Sequence, residues 1–244
     1  MLVRLRVDLA ASVAKDLQRQ DLNEDAYAVG QNCVALADGA SESYDSQTWA
    51  RLLTQAYTLD QRVSVQWVAE RVCTYLDSTD FESLSWSRQA AFERGSFATL
   101  LGLELAPNGV EVDVLAIGDS LAVHVRDGLM VESFPFKLAE EFDARPQLMS
   151  TISTANAFVG TPDFFTKNSA TWQIQTGDQI LLVTDAIGHW ILAHKEALAD
   201  LHTITSVAEF EQLVIARRQD HSMRLDDSTI MRILVDADDQ EPKI

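Results

Sequence analysis

The 244-residue chain is 47% hydrophobic and 23% charged, the composition of a soluble globular protein long enough to bury a sizeable core. Its 19 basic and 37 acidic residues leave a formal charge of -18, which repels nucleic acid and anionic membrane at long range and argues against both as partners. The N-terminal MLVRLRVDLAASVAKDL carries charge where a signal peptide needs an unbroken apolar run, and no window approaches the length of a membrane span. Cys33 and Cys73 lack CxxC spacing, so both are expected as reduced core cysteines of a cytoplasmic protein.

Residues 2–9 alternate in the manner of a half-exposed strand, and 25–38 read as two short strands turned at Gly30 to Asn32. From Ser46 the period becomes helical: Trp49, Leu52, Leu53, Ala56 and Tyr57 share one face, and Val65, Val68, Ala69, Val72, Cys73 and Leu76 share another. A third helix is predicted over 83–94. Strand patterns return at 97–105, 109–118, 121–128 and 129–134, with turn signals at Pro107-Asn108-Gly109 and Asp127-Gly128. The stretch 135–170 is irregular. Strands at 170–174 and 179–184, helices near 187–199 and 206–218, and a last strand at 228–235 complete the pattern. Trp49, Trp67, Trp86, Trp172 and Trp190 are expected in core or interhelix packing. This order predicts an α+β fold with two packed antiparallel sheets and helices on both sides. No linker divides the chain, so 1–235 are read as one domain and 236–244 as an acidic tail.

Several strands end on carboxylates. Apolar runs deliver Asp38, Asp119 and Asp185; Glu24 and Asp25 open another strand, and Asp226 and Asp227 precede the last. Any one of them alone reads as a turn or helix-cap residue. If packed sheets gather these ends at one edge, mutual repulsion raises the carboxyl pKa values and calls for positive charge. Arg19 and Arg224 are the nearby cations in sequence, and hard divalent ions suit a donor set of oxygens alone. The five histidines show no zinc spacing, and serine-nucleophile, phosphate-loop, dinucleotide and EF-hand motifs are absent.

The ordered motifs NEDA, ADG, GSFAT, AIGDS, GDQILLVTDAIG and DDST, from about Asn23 to Val235, resemble the protein phosphatase 2C family of metal-dependent serine/threonine phosphatases. The resemblance implies a sandwich with a two-ion Mn2+ or Mg2+ centre at one end. It implies that Asp38 bridges the ions, that the Gly39 carbonyl holds one, that Asp185 and Asp226 hold the other, and that Asp119 serves a third. Glu24 and Asp25 would orient waters around the centre, and Gly95 and Ser96 would shape a strand start. The implied activity is hydrolysis of phosphoserine and phosphothreonine in a phosphoprotein by a water shared between the metals. The acidic surface would favour phosphosites in basic or neutral surroundings. Arg19 is the candidate phosphate ligand, because Gln20 occupies the position where the family carries an arginine. Ala186 stands for a family glycine and Ala40 for a histidine of many eukaryotic members. Gln20 and Ala186 motivate the alternative, a catalytically weak relative that binds a phosphoprotein as a regulator.

Overall fold

The computed structural model describes residues 2–238. One five-stranded sheet has the order β1 (Val3–Val13), β12 (Ser228–Ala237), β11 (Gln179–Val183), β7 (Leu121–Arg126), β8 (Leu129–Phe134). The other runs β10 (Ser169–Gln173), β6 (Glu111–Ile117), β5 (Leu100–Leu105), β3 (Cys33–Ala37), β2 (Ala26–Val29), and every pairing in both sheets is antiparallel. Two short strands, β4 (Phe97–Ala98) and β9 (Met149–Ser150), form a third pair.

Alternation along the strands explains the layers. Val34 and Leu36 of β3, Leu101 and Leu103 of β5, Ile180 and Leu182 of β11 and Met231 and Ile233 of β12 fill the space between the sheets. The intervening residues face outward onto helices, so the central strands are apolar on both faces. Ala35, Ala37 and Leu100 meet Trp49, Leu53 and Tyr57 of α1 (Ser46–Leu59) and Trp67, Val68, Val72 and Tyr75 of α2 (Val65–Asp77). On the opposite side Val123, Leu181 and Val183 meet Ile187 and Trp190 of α5 (Asp185–Ala193), Leu201 of α6 (Ala197–Thr203), and Phe210 and Val214 of α7 (Val207–Gln219). The short α3 (Trp86–Glu93) and α4 (Phe164–Asn168) complete the helices. The predicted α+β sandwich with helices on both sides is the observed architecture.

The differences from the sequence reading have local causes. The first strand continues past Leu9 to Val13, because a register shift between Val7 and Leu9 breaks the alternation while pairing to β12 persists. The helix expected over 187–199 is two, interrupted where His194 turns extended (φ -128°, ψ 117°). Trp190 and Ile191 of one piece and Ala197 and Leu201 of the other cover the same sheet, so the apolar period reported burial rather than continuity. Trp86 is 83% exposed and Cys73 is exposed, unlike the other tryptophans and Cys33. The irregular stretch contains β9 and α4. Asp236 and Ala237, expected in the tail, belong to β12, where Asp236 accepts a hydrogen bond from Arg6 Nε at 2.6 Å; 239–244 lie outside the described residues. Among the described residues, no helix is long and apolar enough to cross a membrane.

Candidate active site

Asp38 follows the last residue of β3, and its backbone is fixed on both sides. Its N–H donates to Thr99 Oγ1 and its carbonyl accepts from Thr99 N–H, each at 2.8 Å. Thr99 Oγ1 also lies 2.9 Å from Ser120 Oγ, so one threonine sets both Asp38 and the β6–β7 turn that carries Asp119. At Gly39 a Cβ would fall 2.8 Å from the Glu24 carbonyl oxygen and 2.9 Å from Ser46 Cβ; only glycine permits this approach. Asp185 opens α5, where the helix N-terminus favours negative charge, and its Oδ1 accepts from Ala186 N–H at 2.6 Å. Asp226 stands just before β12 and accepts from Asp227 N–H at 2.9 Å. Asp38, Gly39, Asp119, Asp185 and Asp226 line one open cleft of about 310 Å³, with Ser41, Thr99 and Leu148.

The cleft is electrostatically expensive. Burial, then the charges of Asp25, Asp185, Asp119 and Asp226, hold the Asp38 carboxyl well above the usual carboxylate range. Burial with Asp119 and Asp226 pushes Asp185 up to about 7, against the opposing Ala186 N–H and Arg224. Burial also raises Asp119, again against Arg224. Asp25 sits beneath the cleft, with Oδ2 accepting from Thr229 Oγ1 at 2.6 Å and Thr184 Oγ1 at 3.2 Å. Its Oδ1 is buried without a hydrogen-bond partner, and burial together with Asp227 and Asp185 raises its pKa well above normal.

The other predicted residues separate cleanly. Glu24 accepts from Ser46 Oγ at 2.6 Å and Lys15 Nζ at 2.8 Å; burial raises its pKa, but these bonds more than offset it and the carboxyl stays below its usual range. Asp227 is a staple, taking Lys15 N–H and Glu24 N–H on its two oxygens at 2.7 Å each. Arg19 is not brought to the cleft: its exposed guanidinium donates to both carboxylate oxygens of Asp21, at 3.1 and 3.0 Å. Ala186, at the position of a family glycine, is helical and fully buried against the core, so its methyl group packs without strain.

Lys15 is the residue that the sequence reading missed. Its ammonium bonds Glu24 and Ser41 and lies 4.0 Å from Asp226 Oδ1. Antiparallel register reveals it: Val13 faces Ser228, so two residues further on Lys15 faces Asp226. Arg224 reaches Asp143 at 2.8 Å. Arg218 binds the carbonyls of Ala14 at 2.8 Å and Val13 at 3.1 Å and Ser228 Oγ at 3.0 Å, bracing the chain behind the site.

Among the described residues no group of three or more His, Cys, Asp or Glu residues is arranged ready-made to hold a metal ion. The donor chemistry fits one all the same. The carboxylates are oxygen donors alone, half-buried and mutually repelling, and the nearby Asp25 Oδ1 is a buried acceptor without a partner; divalent cations of the Mg2+ or Mn2+ kind satisfy such a set.

No protein-family model matches the sequence, and no curated protein matches it. Solved structures do match. The catalytic domain of serine/threonine protein phosphatase PstP with two manganese ions aligns over 97% of this chain and 100% of its own, at 20% identity and a TM-score of 0.60. The photosystem II phosphatase PBCP covers 96% and 99% at 15% identity and a TM-score of 0.63. The phosphatase 2C domain structure of SpoIIE from Bacillus subtilis aligns over 98% of this chain and 64% of that one, at 16% identity and a TM-score of 0.55. The chain has the protein phosphatase 2C fold. Within that fold the carboxylate cleft is formed by the residues that the motif order singled out: Asp38 and Gly39 after β3, Asp119 after β6, Asp185 after β11 and Asp226 before β12.

Proposed function

We propose that the chain is a Mn2+- or Mg2+-dependent phosphatase acting on phosphoserine and phosphothreonine in proteins. The observation that carries the reading is the meeting of four half-buried, mutually repelling aspartates, Asp38, Asp119, Asp185 and Asp226, in one cleft of the phosphatase fold. Asp38, the Gly39 carbonyl, Asp185 and Asp226 would hold two cations, and Asp119 a third. When bound, the two cations supply an acidified water and neutralise the phosphoryl oxygens. Thr184 and Thr229 fix Asp25 Oδ2 and leave Oδ1 without a protein partner, and in this reading Asp25 would help orient the waters of the metal centre. Glu24 is locked as a carboxylate by Lys15 and Ser46 and aligns the cleft edge. The phosphate-binding role expected of Arg19 passes to Lys15, because Arg19 is committed to Asp21 while the Lys15 ammonium stands beside cleft-lining Ser41 and Asp226. The unpaired Cys33 and Cys73 support a reducing, cytoplasmic location.

The test is to strip metal with a chelator, restore Mn2+ or Mg2+, and follow phosphate release from an aryl phosphate and a phosphothreonine peptide. Metal-dependent release from both is expected. Mn2+ binding without turnover favours the second reading, a phosphatase-like regulator, for which Gln20 and the diverted Arg19 speak.

A further inference from the structure

A second cavity, of about 480 Å³, adjoins the carboxylate cleft. The two share Ala40, Glu42, Pro146 and Leu148 and form one continuous depression. Their electrostatics are opposed. Four aspartates line the cleft, whereas the groove has no aspartate and carries Arg94 and Arg145 on its walls, Glu42 being its one acid, at the junction. Neither arginine enters an ion pair among the described residues; Arg94 donates to the Ala90 carbonyl at 3.0 Å, and Arg145 has no hydrogen bond there. In a chain of formal charge -18, this is a local excess of basic over acidic side chains beside the carboxylate cleft.

The groove walls are built in advance. β9 pairs with β4 through Phe97–Ser150 and Ala98–Met149, and Trp49 Nε1 donates to the Met149 carbonyl at 3.0 Å. Asn156 clasps Ser150, accepting from its N–H at 2.9 Å and donating to its carbonyl at 2.7 Å. Gly95 has φ +85°, and a Cβ there would lie 2.5 Å from Ile152 Cγ1, so the groove floor closes over a contact that glycine allows.

We propose that this groove receives the residues flanking the phosphorylated side chain of a protein substrate, and that Arg94 and Arg145 select an acidic residue there. The proposal rests on the phosphatase reading for the occupant of the cleft and adds the sequence context of the substrate. An extended peptide advances about 3.3 to 3.6 Å per residue, so near neighbours of the phosphorylated residue fall within a contiguous groove. The preference runs against the overall charge of the surface, which favours basic or neutral surroundings, and it weakens as salt rises.

The test uses three phosphothreonine peptides that differ only in carrying Glu, Ala or Lys at the flanking positions. It compares wild type with the Arg94→Ala/Arg145→Ala double variant. In wild type, kcat/KM for the Glu peptide should exceed that for the Ala peptide about five- to tenfold, as two partly exposed charge pairs allow. The ratio should fall to about one in the double variant. Equal rates in wild type, a preference for Lys, or a Glu preference that survives the double substitution would overturn the proposal. An aryl phosphate reports separately on the cleft: if wild type with Mn2+ hydrolyses no ester at all, the phosphatase reading fails. The groove is then read by fluorescence anisotropy of the same labelled peptides. Tighter binding of the Glu peptide, lost in the double variant, supports the selection, and equal binding of all three overturns it.

Discussion

The two ends of β11 carry aspartates in opposite conditions. Asp178, just before the strand and 1% exposed in its side chain, accepts from Arg126 Nε and Nη2 at 2.7 Å each and from Gln175 N–H at 2.9 Å, with His124 Nε2 at 2.9 Å. Burial pushes its carboxyl up, but these partners more than offset that and hold it below the usual range. Asp185, just after the strand, has Asp119 and Asp226 as neighbours instead and is pushed up to about 7. The same strand thus ends once in a satisfied ion cluster and once in an unsatisfied one. The first braces the sandwich; the second costs stability once its carboxyls ionise, unless positive charge is added.

The largest expected effect separates the carboxylate cleft that holds Asp185 from the Asp178 cluster by activity. Asp38→Asn should lower metal-dependent kcat about a thousandfold or more while far-UV circular dichroism stays native. Near-normal turnover would remove Asp38 from the metal centre. In the other cluster Asp178→Ala should cost about 3 kcal/mol, lowering Tm by roughly 6 to 12 °C, because it strands His124 and Arg126. An unchanged denaturation midpoint would deny the brace.

The Asp185 pKa is raised from 3.8 to about 7 in the folded chain, so between those values the folded state binds more protons. Metal-free stability therefore falls as pH rises through that window, and Asp185→Asn should raise the metal-free Tm at pH 8 with no gain near pH 4. Asp178 acts oppositely: its depressed pKa gives stability that is present above 3.8 and lost as pH falls through its folded value. Thermal scans of metal-free wild type from pH 3 to 8 should show a maximum on the acid side, moving toward neutrality when Mn2+ is added. The smallest effect is that of Lys15→Met, which should raise KM severalfold and change kcat less; an unchanged KM would mean that Lys15 serves Glu24 alone.

Much of this was legible in the sequence. Apolar runs that stop on Asp38, Asp119 and Asp185 marked strand ends, and motif order marked which ends meet. Pairing geometry was less visible. Lys15 escaped because the first strand was ended at Leu9, so no register led to Asp226. Asp226 and Asp227 look alike in sequence, yet one lines the cleft while the other staples two backbone segments. Arg19 sits near the first motif, but Asp21, two residues on, captures its guanidinium. Thr99 lies inside GSFAT, where Gly95 and Ser96 drew notice, although its hydroxyl joins Asp38 to the Asp119 turn. Each miss concerns where a side chain points, which periodicity does not encode.

The most direct test is calorimetric titration of Mn2+ into chelator-stripped wild type, Asp38→Asn and Asp178→Asn, each checked for folding. Wild type and Asp178→Asn should bind two ions saturably, the number in the PstP structure, and Asp38→Asn should lose that binding. Equal binding by wild type and Asp38→Asn, or none by wild type, would contradict a metal centre held by Asp38.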